Sequence, residues 1–274
     1  MEKIRFQDIN LDALQRLSHQ GATASVYRYD TTCIKILNHM CDDEREKLYG
    51  KLLDMDGLTI DNVILPKGLI IKDGELFGYW MDYFPNSKCL TDRFTTQYIN
   101  TERLFQCIVK ASYILREIHA SGIICQDVSF ENILVDVNGN VAFCDLDACI
   151  YKEHTSSIIP RLMCNFFYDY RNEVLSASQN MDRVAMLLSF YYLMYGEEIQ
   201  YLPRRRYNRL SSDIETLENM KKYFCMLKNR RRSISEVPYL DELISSNDNY
   251  VLDREKQLTI TNKIYRVQTR RYNY

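Results

Sequence analysis

Short runs of alternating apolar and polar residues fill the first third of the chain. Residues 14–17, 25–29 and 33–37 read as strands, with Asp30-Thr31-Thr32 turning between the last two. Residues 63–71 and 76–84 read as two more, joined by the turn Lys72-Asp73-Gly74-Glu75. Residues 42–55 break this alternation: they open with two acids suited to a helix N-terminus and carry Leu48, Leu52 and Met55 at helical spacing. The pattern predicts a five-stranded antiparallel sheet carrying one helix.

Beyond Pro85 the period becomes helical. Over 101–120 the residues Leu104, Ile108, Ala111, Ile114, Leu115 and Ile118 share one stripe, Thr101 and Glu102 suit its start, and Gly122 lies just past its end. That face is expected to be core. The most apolar run, 184–195, carries a Ser and four aromatics and falls short of the ~20 apolar residues a bilayer span needs. It reads as a buried helix opened by Asn180-Met181-Asp182. Helices are also expected over 213–228 and 235–245.

Between these helices lies the stretch that concentrates chemistry. Asp127 and Asn132 sit on a loop, followed by the apolar strand Ile133-Leu134-Val135, the turn Asn138-Gly139, and a second apolar strand over 141–144 that delivers Asp145. The hairpin brings an acid, an amide and a second acid together. Transfer of a phosphoryl group to an alcohol needs a base to orient the hydroxyl, and hard oxygens to hold Mg²⁺ against the phosphates. This set of residues fits that need.

On Cys125-Gln126-Asp127, Asn132 and Asp145-Leu146-Asp147 the chain resembles the protein-kinase superfamily, in a divergent, bacterial-type or viral form. The resemblance implies an α+β, two-lobed fold: a nucleotide-binding lobe over 1–84, a mainly helical catalytic and substrate lobe over 85–245, and an extension over 246–274. It implies ATP and Mg²⁺ as cofactors, Asp127 as catalytic base, Asn132 and Asp145 as metal ligands, and Lys35 as the cation on the α- and β-phosphates. Gly21 is the middle position of the phosphate flap, whose flanking glycines map onto His19 and Ala24, and Val26 lies on the strand that follows. Glu46, or else Glu44, is the helix acid expected to pair with Lys35. Met81 flanks the adenine pocket, and the backbones of Asp82 and Phe84 are expected to read the purine edge. Asp182 is expected to bond the backbone of the catalytic loop, and Glu173 and Arg232 to form an ion pair.

The departures from that pattern bear on function. Cys125-Gln126 stands where His-Arg is usual, so the arginine that reads a phosphorylated activation segment is absent. Ser129 replaces a lysine that steadies the γ-phosphate, and Asp147 replaces a glycine. The expected activity is γ-phosphate transfer to Ser/Thr hydroxyls, with a protein as substrate. The alternatives are a small-molecule phosphotransferase of the aminoglycoside or choline kinase kind, and a pseudokinase acting as a binding scaffold.

Composition narrows the setting. A formal net charge of -2 gives no general attraction to nucleic acid or anionic membrane. Arg204-Arg205-Arg206 and Arg230-Arg231-Arg232 lack interleaved stacking aromatics, so a nucleic-acid partner is not expected; the first run is instead a candidate for selecting an acidic substrate. Nine cysteines without a CxxC pair, and a first ten residues without an apolar core, point to a reduced, cytoplasmic protein. The four histidines lack zinc-site spacing.

Overall fold

The computed structural model describes residues 1–17, 24–38, 40–95, 101–155, 177–195, 219–220 and 237–244. The phosphate flap with Gly21, the Glu173–Arg232 pair, the Arg204–206 run, most of the two last expected helices and the 246–274 extension lie outside them.

The architecture is α+β. Six strands form one sheet: β1 (Glu2–Arg5), β2 (Gln15–Arg16), β3 (Ala24–Tyr29), β4 (Thr32–Leu37), β5 (Pro66–Lys72) and β6 (Glu75–Asp82), in the order β1-β5-β6-β4-β3-β2. The five expected strands are present and pair antiparallel. The sixth, β1, was not expected; it adds parallel to β5, with Ile4 beside Ile70. Four residues of alternating character give too short a signal to stand alone, and the edge of β5 supplies what they lack. Helix α1 (Asp42–Asp54) follows β4, and the backbone N–H of Cys41 donates to the Glu44 carboxylate at its start. Leu48 and Leu52 from α1 pack with Cys33, Leu69, Leu76, Tyr79 and Met81 of the sheet.

A second, three-stranded sheet is built from β7 (Lys88–Cys89), β8 (Ile133–Val135) and β9 (Val141–Phe143). Helices α2 (Leu90–Thr95), α3 (Thr101–Ala120), α4 (Gln179–Tyr195) and the short α5 (Leu240–Leu243) accompany it. The largest apolar cluster unites the α3 stripe with Val184–Leu188 and Phe190 of α4, Ile133 and Phe143 of the sheet, and Leu240 and Leu243 of α5. The β8–β9 turn is organised by Asp136, whose carboxylate accepts from Asn138 N, Asn140 N and Asn140 Nδ2 at 2.7–2.8 Å.

The two sheets are joined through the α1–β5 connector. Ile64 N donates to Phe143 O at 2.8 Å and Phe143 N to Asn62 O at 2.9 Å, so the connector runs beside β9. No helix among the described residues is long and apolar enough to cross a membrane.

Candidate active site

The loop ahead of β8 is held from beneath by one buried carboxylate. Asp182, at the start of α4 and 1% exposed, accepts from Cys125 N at 2.7 Å and from Gln126 N at 2.9 Å. Its Oδ2 also lies 3.0 Å from His119 Nε2 on α3, and His119 Nδ1 lies 2.8 Å from the Tyr239 hydroxyl. Peptide N–H groups buried in apolar surroundings cost about 1–3 kcal/mol each if unpaired, so this carboxylate decides the path of the loop. It holds Gln126 at φ 64°, in the left-handed region that a residue with a Cβ seldom adopts. Among the described residues, the buried Gln126 Oε1 has no hydrogen-bond partner.

The turn through Gln126 brings Asp127 above Asn132. The Asn132 amide Nδ2 donates to Asp127 O at 2.9 Å and to Asp127 Oδ2 at 3.1 Å, which orients the acid and leaves the amide oxygen as Asn132's side-chain acceptor. Burial pushes the Asp127 carboxyl above its ordinary range, against the lowering effect of the Asn132 hydrogen bond. Register does the rest. Ile133 pairs with Phe143, and Cys144 N donates to Asn132 O at 3.0 Å, so Asp145 emerges beside the Asn132 amide. Asp145 is itself left-handed, at φ 65°.

Lys35 reaches this group from the other sheet. On β4 it stands between Val26 of β3 and Tyr79 of β6. Its carbonyl fits against Gly78, where an added Cβ would lie 2.3 Å from Lys35 O. Lys35 is 4% exposed; its ammonium pairs with Asp145 and, at 2.8 Å, with Asp147 Oδ2. Burial works against its charge, yet Tyr79, Asp147 and Asp145 together hold its pKa well above the usual lysine value. The two acids divide the load unequally. Burial and the neighbouring Asp147 raise Asp145 to about 6, whereas Asp147 is held below its ordinary value, against burial, by Lys35 and by a hydrogen bond with Asp145.

The expected pair between Lys35 and Glu46 is not formed. Glu46 is exposed on the outer face of α1, in a cleft with Arg45, Tyr49 and Glu75, and Glu44 is spent on the helix start. The buried face of α1 presents Leu48, Lys51 and Leu52 instead. Lys51, 3% exposed, donates to Asp147 O at 2.7 Å and to Cys149 O at 2.6 Å, and burial lowers its pKa. Sequence reasoning passed over this residue. Its signal was a lysine placed within the Leu48, Leu52 and Met55 stripe.

Met81, the expected neighbour of the adenine pocket, is 9% exposed near the end of β6 and pairs with Cys33. Asp82 is exposed, and its carboxylate meets Lys67 at 2.6 Å. The Phe84 carbonyl accepts from Ser87 Oγ at 2.6 Å. Val26 is half-buried across from Lys35. The donor set suits a hard cation: the Asp145 side chain, 40% exposed, is the more open of the two acids, and Asn132, whose amide nitrogen is taken up by Asp127, keeps its amide oxygen as a hard acceptor.

An acid oriented by an amide, two further acids and a buried lysine from a neighbouring sheet thus gather on an α+β frame. No family model matches the chain. It is 27% identical over 138 residues to the serine/threonine-protein kinase STE20 of Debaryomyces hansenii, a match covering 47% of this chain and 12% of that protein. It is 22% identical over 142 residues to the serine/threonine-protein kinase shk2 of Schizosaccharomyces pombe, covering 47% of this chain and 24% of that protein. The matches thus span a quarter or less of the relatives' own lengths. They give the chain a distant, kinase-like relationship, with which the mixed α+β architecture is compatible.

Proposed function

We propose that the chain is an ATP- and Mg²⁺-dependent kinase that transfers the γ-phosphate to serine or threonine hydroxyls of a protein. The observation that carries this reading is the convergence of Asp127, Asn132, Asp145 and Lys35 from two sheets. Asp127 accepts the hydroxyl proton, and its raised pKa makes it a stronger base than an exposed aspartate. Asn132 keeps that carboxylate in one orientation. Asp145 and the Asn132 oxygen hold Mg²⁺, which when bound neutralises charge on the transferred phosphoryl group. Lys35 supplies a cation for the nucleotide phosphates. Little covalent chemistry is asked of the protein beyond position and charge.

The names of both relatives favour a protein acceptor over a small molecule. In this reading residues 1–84 and 85–245 are the two lobes, with 246–274 outside them, and Val26, Met81, Asp82 and Phe84 line the nucleotide side together with Gly21. The free cysteines among the described residues fit a reducing, cytoplasmic setting. The test is transfer of labelled γ-phosphate from Mg-ATP to the protein itself or to a generic protein substrate. Transfer that disappears in Asp127→Ala supports the reading; wild-type transfer no greater than the Asp127→Ala background to any protein or small alcohol rejects it.

A further inference from the structure

Helix α1 contributes no carboxylate to Lys35, yet it is tied to the site at three levels. Lys51 grips the carbonyls of Asp147 and Cys149 at 2.7 and 2.6 Å. One turn further on, Asp54 accepts from Lys152 at 2.9 Å and meets His154 Nε2 at 2.7 Å. Just before Lys51, Gly50 lies against the His154 ring, where an added Cβ would sit 3.0 Å from Cε1 and the ring would have to give. The helix is therefore fastened by polar contacts to residues 147–154, and it sends no carboxylate to Lys35.

Burying an ammonium against neutral carbonyls is expensive, and an apolar side chain at position 51 would fill the same stripe at lower cost. The arrangement acquires a purpose once Asp147 is included. Its carbonyl is held by Lys51 and its carboxylate by Lys35, so one residue links helix to strand. The two neighbouring acids also differ in access, with side chains 17% exposed for Asp147 and 40% for Asp145. The open one is suited to a cation from solution; the closed one is suited to a permanent partner. Glu46, pointing away, is suited to neither.

We propose that Asp147 is the residue that positions Lys35, and that Lys51 acts through it as the second member of a relay from α1 to the phosphate-binding cation. The proposal rests on the reading of Lys35 as that cation. In it the lysine is oriented from the turn after β9, and α1 serves as the clamp on that turn.

A double-mutant cycle decides the matter. Wild type, Asp147→Asn, Lys51→Met and the double variant are titrated with ADP in EDTA, following the melting-temperature shift. Asp147→Asn is expected to weaken ADP by about tenfold and Lys51→Met by roughly three- to tenfold, while the double variant stays within about twofold of Asp147→Asn because both changes break one relay. Lys51→Arg, which keeps charge and donors, should recover most of the Lys51→Met loss. ADP binding by Asp147→Asn equal to or tighter than wild type overturns the positioning role. Losses that multiply in the double variant overturn the relay and leave Lys51 as a packing residue. The same cycle between Lys35→Met and Asp147→Asn, read on the melting temperature of the nucleotide-free protein, needs no ligand: non-additive losses support the pair, additive ones reject it. If wild type binds ADP without transferring phosphate, the kinase reading fails and the relay is still decided. If it binds no ADP, the nucleotide reading fails, and the nucleotide-free cycle still decides whether Asp147 and Lys35 are coupled; run in the same way on Asp147→Asn and Lys51→Met, it decides the second step of the relay.

Discussion

The two sides of the candidate site are braced in opposite ways. On the loop side, Asp127 depends on main-chain geometry: a buried acid on α4 captures two peptide N–H groups, and the chain has little freedom left. On the strand side, Lys35 depends on side-chain charge, shared between two acids two residues apart. The first brace is built from groups that every sequence possesses and needs only one aspartate at one helix start. The second must balance several buried charges, and here α1 supplies a base, Lys51, while the turn after β9 supplies the acid, Asp147. Charge pairs can migrate between elements when the sum is preserved; peptide groups cannot.

The largest expected effect lies on the loop side. Asp127→Ala should reduce phosphoryl transfer by about 10³-fold while preserving the nucleotide-dependent melting shift, since positioned proton transfer contributes about 10²–10⁴. Asp182→Ala should strip partners from one buried and one half-buried N–H group and destabilise the protein by about 2–5 kcal/mol in urea unfolding. A loss below ~1 kcal/mol would mean that the loop does not depend on this brace. On the strand side, Gly78→Ala sets a methyl 2.3 Å from Lys35 O. It should cost about 1–3 kcal/mol and weaken ADP binding, because β4 must shift away from β6.

Acidification separates the sides further. With its carboxyl at about 6, Asp145 takes up a proton in competition with Mg²⁺, so the Mg²⁺ concentration needed for half-maximal transfer should rise as pH falls below 6. Because this folded value is raised, the stability contribution of the group runs the other way. It is fully present below the ordinary aspartate range and lost as pH rises through about 6, so in EDTA Asp145→Asn should gain melting temperature over wild type at pH 7.5 and not at pH 4. The smallest effect is expected at Glu46→Gln, within about 0.5 kcal/mol by urea unfolding and with unchanged transfer, since that side chain is exposed on the far face of α1.

The frame was legible where local pattern and tertiary need agree. The stripe over 101–120 became α3 with the same bounds, and the hairpin after Asn132 formed around its Asn138-Gly139 turn. Asp182 could be read because a helix start and a loop brace ask for the same residue. What escaped was the sign of charge on a buried helix face. Periodicity assigns Lys51 to the α1 stripe, but only the carbonyls of Asp147 and Cys149, about a hundred residues away, make a buried lysine tolerable there. The apolar positions Tyr49 and Leu53, at +3 and +7 from Glu46, point to an inward face there, but Leu53 is exposed and the helix buries Leu48, Lys51 and Leu52 instead. The parallel strand β1 escaped for a related reason: its stabilising partner, β5, lies far along the chain.

The His119–Tyr239 contact carries a consequence for how the protein is born. The brace under the Asp127 loop runs from Asp182 through His119 to the Tyr239 hydroxyl, and Ser112 and Arg116 of α3 bond Asp241 of α5, the short helix that follows Tyr239. Asp127 leaves the ribosome about 110 residues before Tyr239, which at ~5–20 residues per second is roughly 6–20 s of waiting with the scaffold incomplete. A nascent chain would therefore display its acids, amide and lysine well before the Tyr239 end of the brace emerges to hold them.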